Sequence, residues 1–474
     1  MALGGLQKDR ICFNSTVSAC AKAGEWCRAQ ELLSLMLRSG IEANPISFNA
    51  GLSVCEKAGE WYEALQLLAL ASRKAVEANI ISYNTCISAC EKGGCWQMAL
   101  HLLAEMTAVR LTRDGISFNA AIAACGRARQ WQQALQILSD MPAARVARDL
   151  VSFNAGIAAG HWAHALQLLE ELAAAQLSAD AVSCTASISA CEKRWEVALH
   201  LLSEMPAMQV QLGSASFNAS ISSCGAGGHW QTALRLFQEM QELRMELSVV
   251  TFGNSISACA KAGQWQMALQ VLADMGPARV QASAVVFGAA ISACEAARCW
   301  QLALQLFAEL HLMGVEASAV TCNAALSACA ECGEWQQAWY LLQEMQSNTI
   351  EADRISFNAT INACGRQGRW PLALSLLFQM LANQVAPDSI SCNAGISSCE
   401  RGGQWQMALR LLAHLPALRI HGDVGTCYVA AEALEHAGQW QLMPWLLASV
   451  PAEGLAHNLS EDAAAWSKKG RSGV

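Results

Sequence analysis

The amino-acid sequence predicts an all-α protein, an α-solenoid built from tandem helical hairpins of about 35 residues. Tryptophan recurs at a nearly constant interval through most of the 474 residues, usually within a W-Q-x-A-L segment. The apolar residues around each tryptophan follow the spacing of an amphipathic helix. Hydrophobic residues make up 53% of the chain and charged residues 15%, which excludes intrinsic disorder. Repetition at this period is the sequence signature of a stacked-repeat architecture.

The tryptophans define the repeats, and each full-length repeat is started so that its tryptophan is the seventeenth residue. Residues 1–9 match the end of a partial repeat, and residues 424–458 form a degenerate repeat that is expected to cap the array. Residues 459–474 are expected to be a disordered end. Twelve repeats lie between, at 10–44, 45–79, 80–114, 115–149, 150–180, 181–213, 214–248, 249–283, 284–318, 319–353, 354–388 and 389–423.

Each repeat is predicted to form two helices. The first is illustrated by the segment from Ile80 to Glu91, which follows the capping residue Asn79, and the second runs from Trp96 to about Met106. Because a helix of about 12 residues is not stable alone, the hairpins are expected to stack into one elongated array. No stretch of about 18 uncharged apolar residues is present, which excludes a membrane-spanning helix.

The cysteines are predicted to be reduced residues of the core. Helices stacked about 8–10 Å apart do not bring equivalent residues within the roughly 7 Å that a disulfide requires between Cα atoms. The single C-x-x-C segment places Cys329 in the same column as other cysteines, so no metal or cofactor is expected there. Eleven of the 21 cysteines occupy position 11 of their repeats: Cys20, Cys55, Cys90, Cys125, Cys191, Cys224, Cys259, Cys294, Cys329, Cys364 and Cys399.

Two aromatic columns are predicted to be packing residues. Tryptophan opens the second helix at position 17, where packing is commoner than stacking on a base. The aromatic residues at position 4 are likewise expected in the core: Phe13, Phe48, Tyr83, Phe118, Phe153, Phe217, Phe252, Phe287 and Phe357.

Position 5 carries an amide in most repeats, although asparagine is a mediocre helix former. An amide presented to a ligand explains such a column, whereas bracing of the neighbouring hairpin is the alternative. The asparagines are Asn14, Asn49, Asn84, Asn119, Asn154, Asn218, Asn323, Asn358 and Asn393, while Thr185, Gly253 and Gly288 depart from the pattern.

The last residue of the repeat, position 35 at full length, is also small or polar, as a helix N-cap requires. It is Asn44, Asn79, Asp114, Asp149, Asp180, Gly213, Ser248, Ser283, Ser318, Asp353, Asp388 or Asp423.

Positions 2 and 13 lie eleven residues apart and therefore share one face of the first helix. Position 2 is aliphatic, as in Ile46, Ile81, Ile116, Val151, Val320, Ile355 and Ile390. Position 13 is often basic, as in Lys22, Lys57, Lys92, Arg127, Lys193, Lys261, Arg366 and Arg401. Aliphatic residues, amides and evenly spaced cations suit a ligand that also repeats, with flat bases and phosphates between them. A solvated lysine before a turn is the alternative interpretation of position 13.

The formal net charge of −8 opposes this interpretation, because nucleic-acid binders are usually basic. Much of the acidity lies in the second helices, at Glu105, Asp140, Glu204, Glu239, Asp274, Glu309 and Glu344. The hypothesis therefore requires the charges to be segregated between the two helices, and a moderate, salt-sensitive affinity.

The repeat with S-F/Y-N near its start, A-L in its middle, a late methionine and a closing aspartate resembles the pentatricopeptide repeat family, in its P type. The resemblance covers residues 1 to about 458. It implies sequence-specific binding of single-stranded RNA, one base per repeat, with the fifth and last residues reading the base and position-2 residues sandwiching it. Asparagine with aspartate implies uracil, asparagine with asparagine either pyrimidine, and Asn218 with Ser248 cytosine. The implied target is 5′-YYUUU-N-C-N-N-UUU-3′.

The resemblance also implies a role in organelle RNA metabolism, in a plastid before a mitochondrion, through processing, stability, editing or translation of transcripts. The chain lacks the H-x-E and P-C-x-x-C segments of zinc deaminases, so no deaminase tail is expected. The resemblance implies a non-catalytic protein, expected to be a monomer that works with organelle RNA-processing enzymes. The first ten residues show no transit peptide, and Met1 falls where Met106 lies in its repeat, so the natural protein is hypothesised to extend upstream. The competing hypothesis is a protein-interaction scaffold.

Overall fold

A computed structural model describes residues 45–73, 76, 78–192, 194–348, 350–415 and 424–442, together with scattered positions between 13 and 36. No strand occurs among these residues, and the all-α solenoid prediction is confirmed. Within that same part of the chain, no helix is both long enough and apolar enough to cross a bilayer. Although the sequence predicts one array, the contacts group into two compact units, Met1–Gly227 and Gly228–Val474, which are described separately.

The unit Met1–Gly227 stacks helical hairpins in chain order, and each first helix packs against the first helix of the next repeat. Its first helices are Pro45–Ala58, Ile80–Lys92, Gly115–Arg127, Leu150–Ala158, Ala181–Ala190 and Ser214–Ala226. Its second helices are Trp61–Arg73, Trp96–Ala108, Trp131–Asp140, Trp162–Ala174 and Trp195–Glu204.

The unit Gly228–Val474 repeats this arrangement. Its first helices are Val249–Lys261, Ala284–Ala296, Ala319–Cys332, Arg354–Arg366, Ser389–Arg401 and Val424–His436. Its second helices are Trp230–Glu242, Trp265–Ala273, Trp300–Leu312, Trp335–Ser347, Trp370–Ala382 and Trp405–His414, and a 3-10 turn spans Trp440–Leu442.

Each first helix begins where the sequence places a capping residue. The side chain of Asp114, in an extended conformation, accepts a hydrogen bond from the backbone N–H of Ser117 at 2.9 Å, and the Asp114 N–H donates to Ser117 Oγ. This reciprocal capping box satisfies two of the backbone groups that a helix end leaves unpaired. The same side-chain cap occurs at Asn79, Asp149, Asp180, Ser248, Ser318, Asp353 and Asp388, whereas Gly213 and Ser283 make no side-chain cap hydrogen bond.

Each second helix begins at its tryptophan, which lies half-buried against the following repeat. A Cβ atom added to Gly93 would lie 2.4 Å from Cδ1 of Trp61, and one added to Gly402 would lie 2.5 Å from Cδ1 of Trp370. At these two glycines the tryptophan thus packs directly against the turn of the next hairpin. The packing role predicted for position 17 is confirmed at these junctions.

The core runs between the two layers of helices within each unit. All nine aromatic side chains predicted at position 4 are buried, and Phe118, Phe217, Phe252 and Phe357 are almost inaccessible to solvent. Burying a phenylalanine side chain stabilises a fold by about 1.5–3 kcal/mol relative to its exposure. The position-4 prediction is therefore confirmed.

The position-11 cysteines lie in the same core and are free thiols, buried at every described site except the half-buried Cys20. Burial raises the pKa of Cys90 and Cys329 to about 12, with smaller contributions from the neighbouring Cys95 and Cys332. Thiols with such pKa values stay protonated near neutral pH and are poor nucleophiles. The predicted core location is confirmed for the described cysteines, and their reduced state stays a prediction.

Candidate functional site

The position-5 amides lie half-buried at the junctions between successive first helices. In the repeat 80–114, Asn84 Nδ2 donates to both carboxylate oxygens of Asp114, at 3.0 and 3.2 Å. Ser117, at position 3 of the next repeat, places its hydroxyl 2.6 Å from Asn84 Oδ1 as a donor. Each amide is therefore held from both ends by the start of the following first helix.

The same arrangement recurs in both units. In the first unit, Asn49 donates to Asn79 at 3.4 Å and accepts from Ser82 at 2.6 Å, and Asn154 donates to Asp180 at 3.4 Å and accepts from Ser183 at 2.5 Å. In the second unit, Asn323 donates to Asp353 at 3.1 Å and accepts from Ser356 at 2.6 Å, and Asn358 donates to Asp388 at 3.3 Å and accepts from Ser391 at 2.5 Å. In each of these five repeats, the asparagine at position 5 therefore donates a hydrogen bond to the residue at position 35.

Asn119 differs from the five asparagines described above. Its Nδ2 donates to Asp149 at 3.4 Å, but its Oδ1 is buried and has no hydrogen-bond partner in the structure. A buried amide oxygen without a donor is costly, by about 1–3 kcal/mol.

The aspartates at position 35 are ionised over a wide pH range. Partial burial raises the pKa of Asp114, but the hydrogen bonds that Ser117 and Asn84 donate outweigh it, so the pKa lies below its ordinary value of 3.8. The pKa values of Asp353 and Asp388 are lowered in the same way. A carboxylate only accepts hydrogen bonds, so it fixes which end of the amide is the nitrogen.

The position-2 side chains form an exposed aliphatic row beside the amides. Ile81 and Asn84 are three residues apart and therefore lie on the same face of their helix. Aliphatic residues exposed in register form a surface that a flat apolar partner can cover. The exposed fractions run from 58% to 77% for Ile46, Ile81, Ile116, Val151, Val182, Val250, Val285, Val320, Ile355 and Ile390.

Several position-13 cations form ion pairs that the sequence analysis did not anticipate. Lys92 Nζ lies 3.0 Å from Glu56, and Arg127 lies 3.2 Å from Glu91. Arg366 lies 2.9 Å from Glu331 and also donates to the Glu331 carbonyl oxygen at 2.7 Å. Acidic residues therefore lie at the ends of first helices as well as in second helices, and the charge segregation that the hypothesis required is incomplete.

The remaining position-13 cations differ in their surroundings. Lys57, Lys261 and Arg401 are exposed. The predicted contact with phosphates stays a prediction for all of them. Asn14, Asn44, Asp423, Lys22 and Lys193 lie outside the described residues.

Three repeats lack the amide. Thr185 Oγ1 donates to the Ala181 carbonyl oxygen of its own helix at 2.6 Å. At Gly253 and Gly288 an added Cβ would lie 3.7 Å from Val286 and 3.3 Å from Thr321. These positions present no amide to a ligand, as their residue types indicate.

Metal-ligating residue types come together at one place among the described residues. Glu400, Glu432 and His436 lie within reach of a common ion, and His436 Nδ1 is 3.2 Å from Glu400. This is the same kind of junction between repeats as the ion pairs described above. The C-x-x-C segment is arranged differently, because Cys329 is fully buried while Cys332 donates to the Arg298 carbonyl oxygen at 3.2 Å.

The position-3 serines are the site residues that sequence reasoning missed. Their signal is present, since position 3 is serine in eight of the twelve repeats. The repeat pattern does not reveal their contact with the amide, because Ser117 donates to an asparagine 33 residues earlier in the chain.

Family models for this type of repeat match more than half of the chain. The pentatricopeptide repeat domain model matches residues 1–58, 66–128 and 235–296. The PPR repeat family model matches residues 317–366, and the PPR repeat model matches residues 116–146, 215–245 and 355–385. A comparison with curated proteins finds no match.

Solved structures with a similar fold include the pentatricopeptide repeat protein PPR10 in complex with an 18-nt psaJ RNA element. The similarity covers 96% of this chain and 76% of that chain, with 17% sequence identity and a TM-score of 0.52. A cysteine-to-serine variant of PPR10 with the same RNA element gives the same values. PPR10 from maize aligns over 94% of this chain and 79% of that chain, at 16% identity and a TM-score of 0.41. On the repeat models and the fold, the chain belongs to the pentatricopeptide repeat family.

Proposed function

We propose that the protein binds single-stranded RNA in a sequence-specific way, one base per repeat. The observation that carries this proposal is the regular alternation of oriented position-5 amides with exposed position-2 aliphatic side chains. Bases are flat, and single-stranded RNA is recognised through stacking and through the hydrogen-bonding edges of unpaired bases. Membership of the family and the RNA in the PPR10 complexes support the same proposal.

The amides have the hydrogen-bonding capacity that base recognition needs. An asparagine amide has two N–H donors and two acceptor lone pairs. The contacts with Asp114 and Ser117 use one N–H donor and one lone pair of Asn84. One donor and one lone pair remain for a base edge. Uracil offers an N–H beside a carbonyl oxygen, and therefore complements this pair.

The proposed target is pyrimidine-rich, 5′-YYUUU-N-C-N-N-UUU-3′. Asn84, Asn119 and Asn154, with their aspartates, take uracil at nucleotides three to five, and Asn323, Asn358 and Asn393 take uracil at nucleotides ten to twelve. Asn14 and Asn49 take either pyrimidine, and Asn218 with Ser248 takes cytosine. Thr185, Gly253 and Gly288 leave their nucleotides unread.

Position-13 cations contact phosphates in this proposal. Lys92, Arg127 and Arg366 are partly neutralised by their glutamate partners, so their contribution is smaller than that of unpaired cations. Together with the net charge of −8, this gives a moderate affinity that falls as salt rises.

The biological role belongs to the same proposal. We place the protein among P-type members that act in organelle RNA metabolism, in a plastid before a mitochondrion. Acting as a monomer, it blocks exonucleases or remodels a transcript segment, so that processing, stability, editing or translation changes, alongside organelle RNA-processing enzymes. It performs no chemistry of its own.

A protein-interaction scaffold is the second candidate. Two observations favour a scaffold. The amides hydrogen-bond to the next repeat and thereby hold successive repeats together, and the exposed aliphatic row suits an apolar peptide segment. The two functions differ in whether the amides bind RNA bases or only hold repeats together. RNA-binding measurements on amide variants that keep their fold distinguish the two.

Gel-shift titrations with the proposed RNA and a purine-rich RNA of equal length test the proposal. The wild type is expected to prefer the pyrimidine target. The combined variant Asn84→Ala, Asn119→Ala and Asn358→Ala is expected to lose about a hundredfold or more in affinity, since each lost base contact costs about 1–3 kcal/mol.

The control is a triple variant of exposed second-helix serines, Ser139→Ala, Ser203→Ala and Ser375→Ala, whose hydroxyls bond only to carbonyl oxygens of their own helices. It is expected to bind like the wild type, and circular dichroism checks that both triple variants keep their helicity. Equal affinity of the wild type for both RNAs would refute the proposed specificity.

A further inference from the structure

We propose that the position-3 serine of each following repeat is a positioning residue that sets the base preference of the preceding repeat. This inference rests on the proposed RNA binding and extends it to a residue in contact with the amide. Five of the six position-5 asparagines whose partners are described within a unit accept a hydrogen bond from such a serine: Asn49, Asn84, Asn154, Asn323 and Asn358.

The serine hydroxyl lies between two acceptors. Ser117 Oγ is 2.6 Å from Asn84 Oδ1 and 2.6 Å from Asp114 Oδ1, and it accepts the Asp114 N–H at 3.4 Å. Ser391 Oγ is 2.5 Å from Asn358 Oδ1 and 2.8 Å from Asp388 Oδ1. A hydroxyl has one hydrogen, so it donates to one of these oxygens at a time and can rotate between them.

This arrangement fixes the orientation of the amide. The ionised aspartate accepts only from the nitrogen end, and the serine donates only to the oxygen end. The open side of the amide therefore presents its donor and its acceptor in a defined order. A base that donates to Asn84 Oδ1 uses its remaining lone pair, so the serine keeps its hydrogen bond and continues to orient the amide.

Repeats without the amide show what the hydroxyl does otherwise. Ser216 follows Thr185, and its Oγ donates to the Gly213 carbonyl oxygen at 2.8 Å. Thr321 follows Gly288 and donates to the Ser318 carbonyl oxygen at 2.7 Å. After Gly253 the hydroxyl is replaced altogether by the buried Val286. The hydroxyl is turned towards the position-5 amide at the five junctions named above, whereas at the Asn119 junction Ser152 Oγ donates to Asp149 Oδ1 at 2.6 Å.

The test compares base preference at two nucleotides of the proposed RNA. Dissociation constants are measured with uracil, cytosine or adenine at nucleotide three, opposite Asn84, and at nucleotide eleven, opposite Asn358. Ser117→Ala is expected to lower the uracil preference at nucleotide three by about threefold to tenfold, the worth of one net hydrogen bond, and to leave nucleotide eleven unchanged. Ser391→Ala is expected to do the reverse, and Ser117→Thr to retain the wild-type preference.

Ser216→Ala is the matched control, because it removes a capping hydroxyl that bonds only to backbone groups. It is expected to leave the base preference unchanged at both nucleotides, and thermal unfolding midpoints report its effect on stability. Unchanged preference in Ser117→Ala, or an equal loss at both nucleotides, overturns the inference while leaving RNA binding intact. Failure of the wild type to bind the RNA overturns the proposed function, and the inference with it.

Discussion

The aspartates at position 35 combine two roles, since each caps a first helix and holds the amide of the preceding helix. Asp114, Asp149, Asp180, Asp353 and Asp388 all have a pKa below 3.8 in the folded protein. Burial raises each pKa, but the hydrogen bonds from the position-3 serine and the position-5 asparagine lower the pKa by more than burial raises it. Protonation of these residues therefore weakens helix ends and repeat junctions together.

We predict that acidification destabilises the fold through these residues. A pKa lowered by folding gives stability that is complete above 3.8 and is lost as the pH falls through the lower folded-state pKa. Denaturant unfolding from pH 7 towards pH 2 is expected to show a falling free energy of unfolding. The double variant Asp114→Asn and Asp353→Asn keeps similar caps without this titration, and its stability is expected to fall less. Equal pH dependence of both proteins would contradict the prediction.

At this scale the sequence indicates the amide and aspartate columns that meet at the repeat junctions, but neither the serines that join them nor the geometry of their contacts. The repeat pattern allows Asn84 to be paired with Asp114, because positions 5 and 35 are both polar columns and helix propensity gives no reason for an amide at position 5. The hydroxyl of Ser117 and the Lys92–Glu56 ion pair cannot be predicted in this way. Both join neighbouring repeats, and their geometry depends on the angle and offset at which two hairpins stack.

At the scale of the helices, the turn between the two helices of a repeat is fixed by the tryptophan of the preceding repeat. Gly93 lies where an added Cβ would be 2.4 Å from Cδ1 of Trp61 and 2.7 Å from the Gly59 carbonyl oxygen. The carbonyl oxygen belongs to the backbone, so a rotamer change cannot relieve this contact. The turn has to shift instead.

We predict that Gly93→Ala destabilises the protein by about 1–3 kcal/mol, the usual cost of overpacking a tight site. Gly115→Ala is the control, because Gly115 opens a first helix and has nothing within 4 Å of an added Cβ. That substitution is expected to be neutral or stabilising, since alanine is the better helix former. Urea unfolding of the two variants measures the difference, and a Gly93→Ala protein as stable as the Gly115→Ala protein would count against the packing described here.

Helix starts follow from the sequence more closely than helix ends. Capping residues such as Asp114 and the tryptophans define where helices begin, and the structure places the starts there. The second helices end at different positions, after ten residues at Asp140 but after thirteen at Ala108. Pro142 explains the first of these ends. The second has no proline or glycine, and its C-cap Val109 is followed by Arg110 in the left-handed region, with φ of 61°.

At the scale of the whole molecule, the division into Met1–Gly227 and Gly228–Val474 has no counterpart in the sequence pattern. The repeat continues through residues 214–248, and the glycines at 225, 227 and 228 resemble the turns of other repeats. Periodicity reports that each hairpin has a neighbour. It does not report how extensive the contact with that neighbour is, which depends on side-chain packing along the stack.

We predict that damage to the core spreads only to neighbouring repeats. Phe357 packs with Leu342, Ile361 and Leu377, and Phe357→Ala is expected to cost about 3–5 kcal/mol. In a stack held by nearest-neighbour contacts, amide hydrogen exchange should accelerate in the helices between 319 and 401 and stay unchanged between 80 and 140. Ser375→Ala, on the exposed surface of the same repeat, is the control and should change neither segment.

Faster exchange along the entire chain would instead mean that the repeats unfold as one cooperative body. In that case the repeats proposed to read bases could not adjust to RNA one at a time, and substitutions at one junction would alter affinity at every nucleotide.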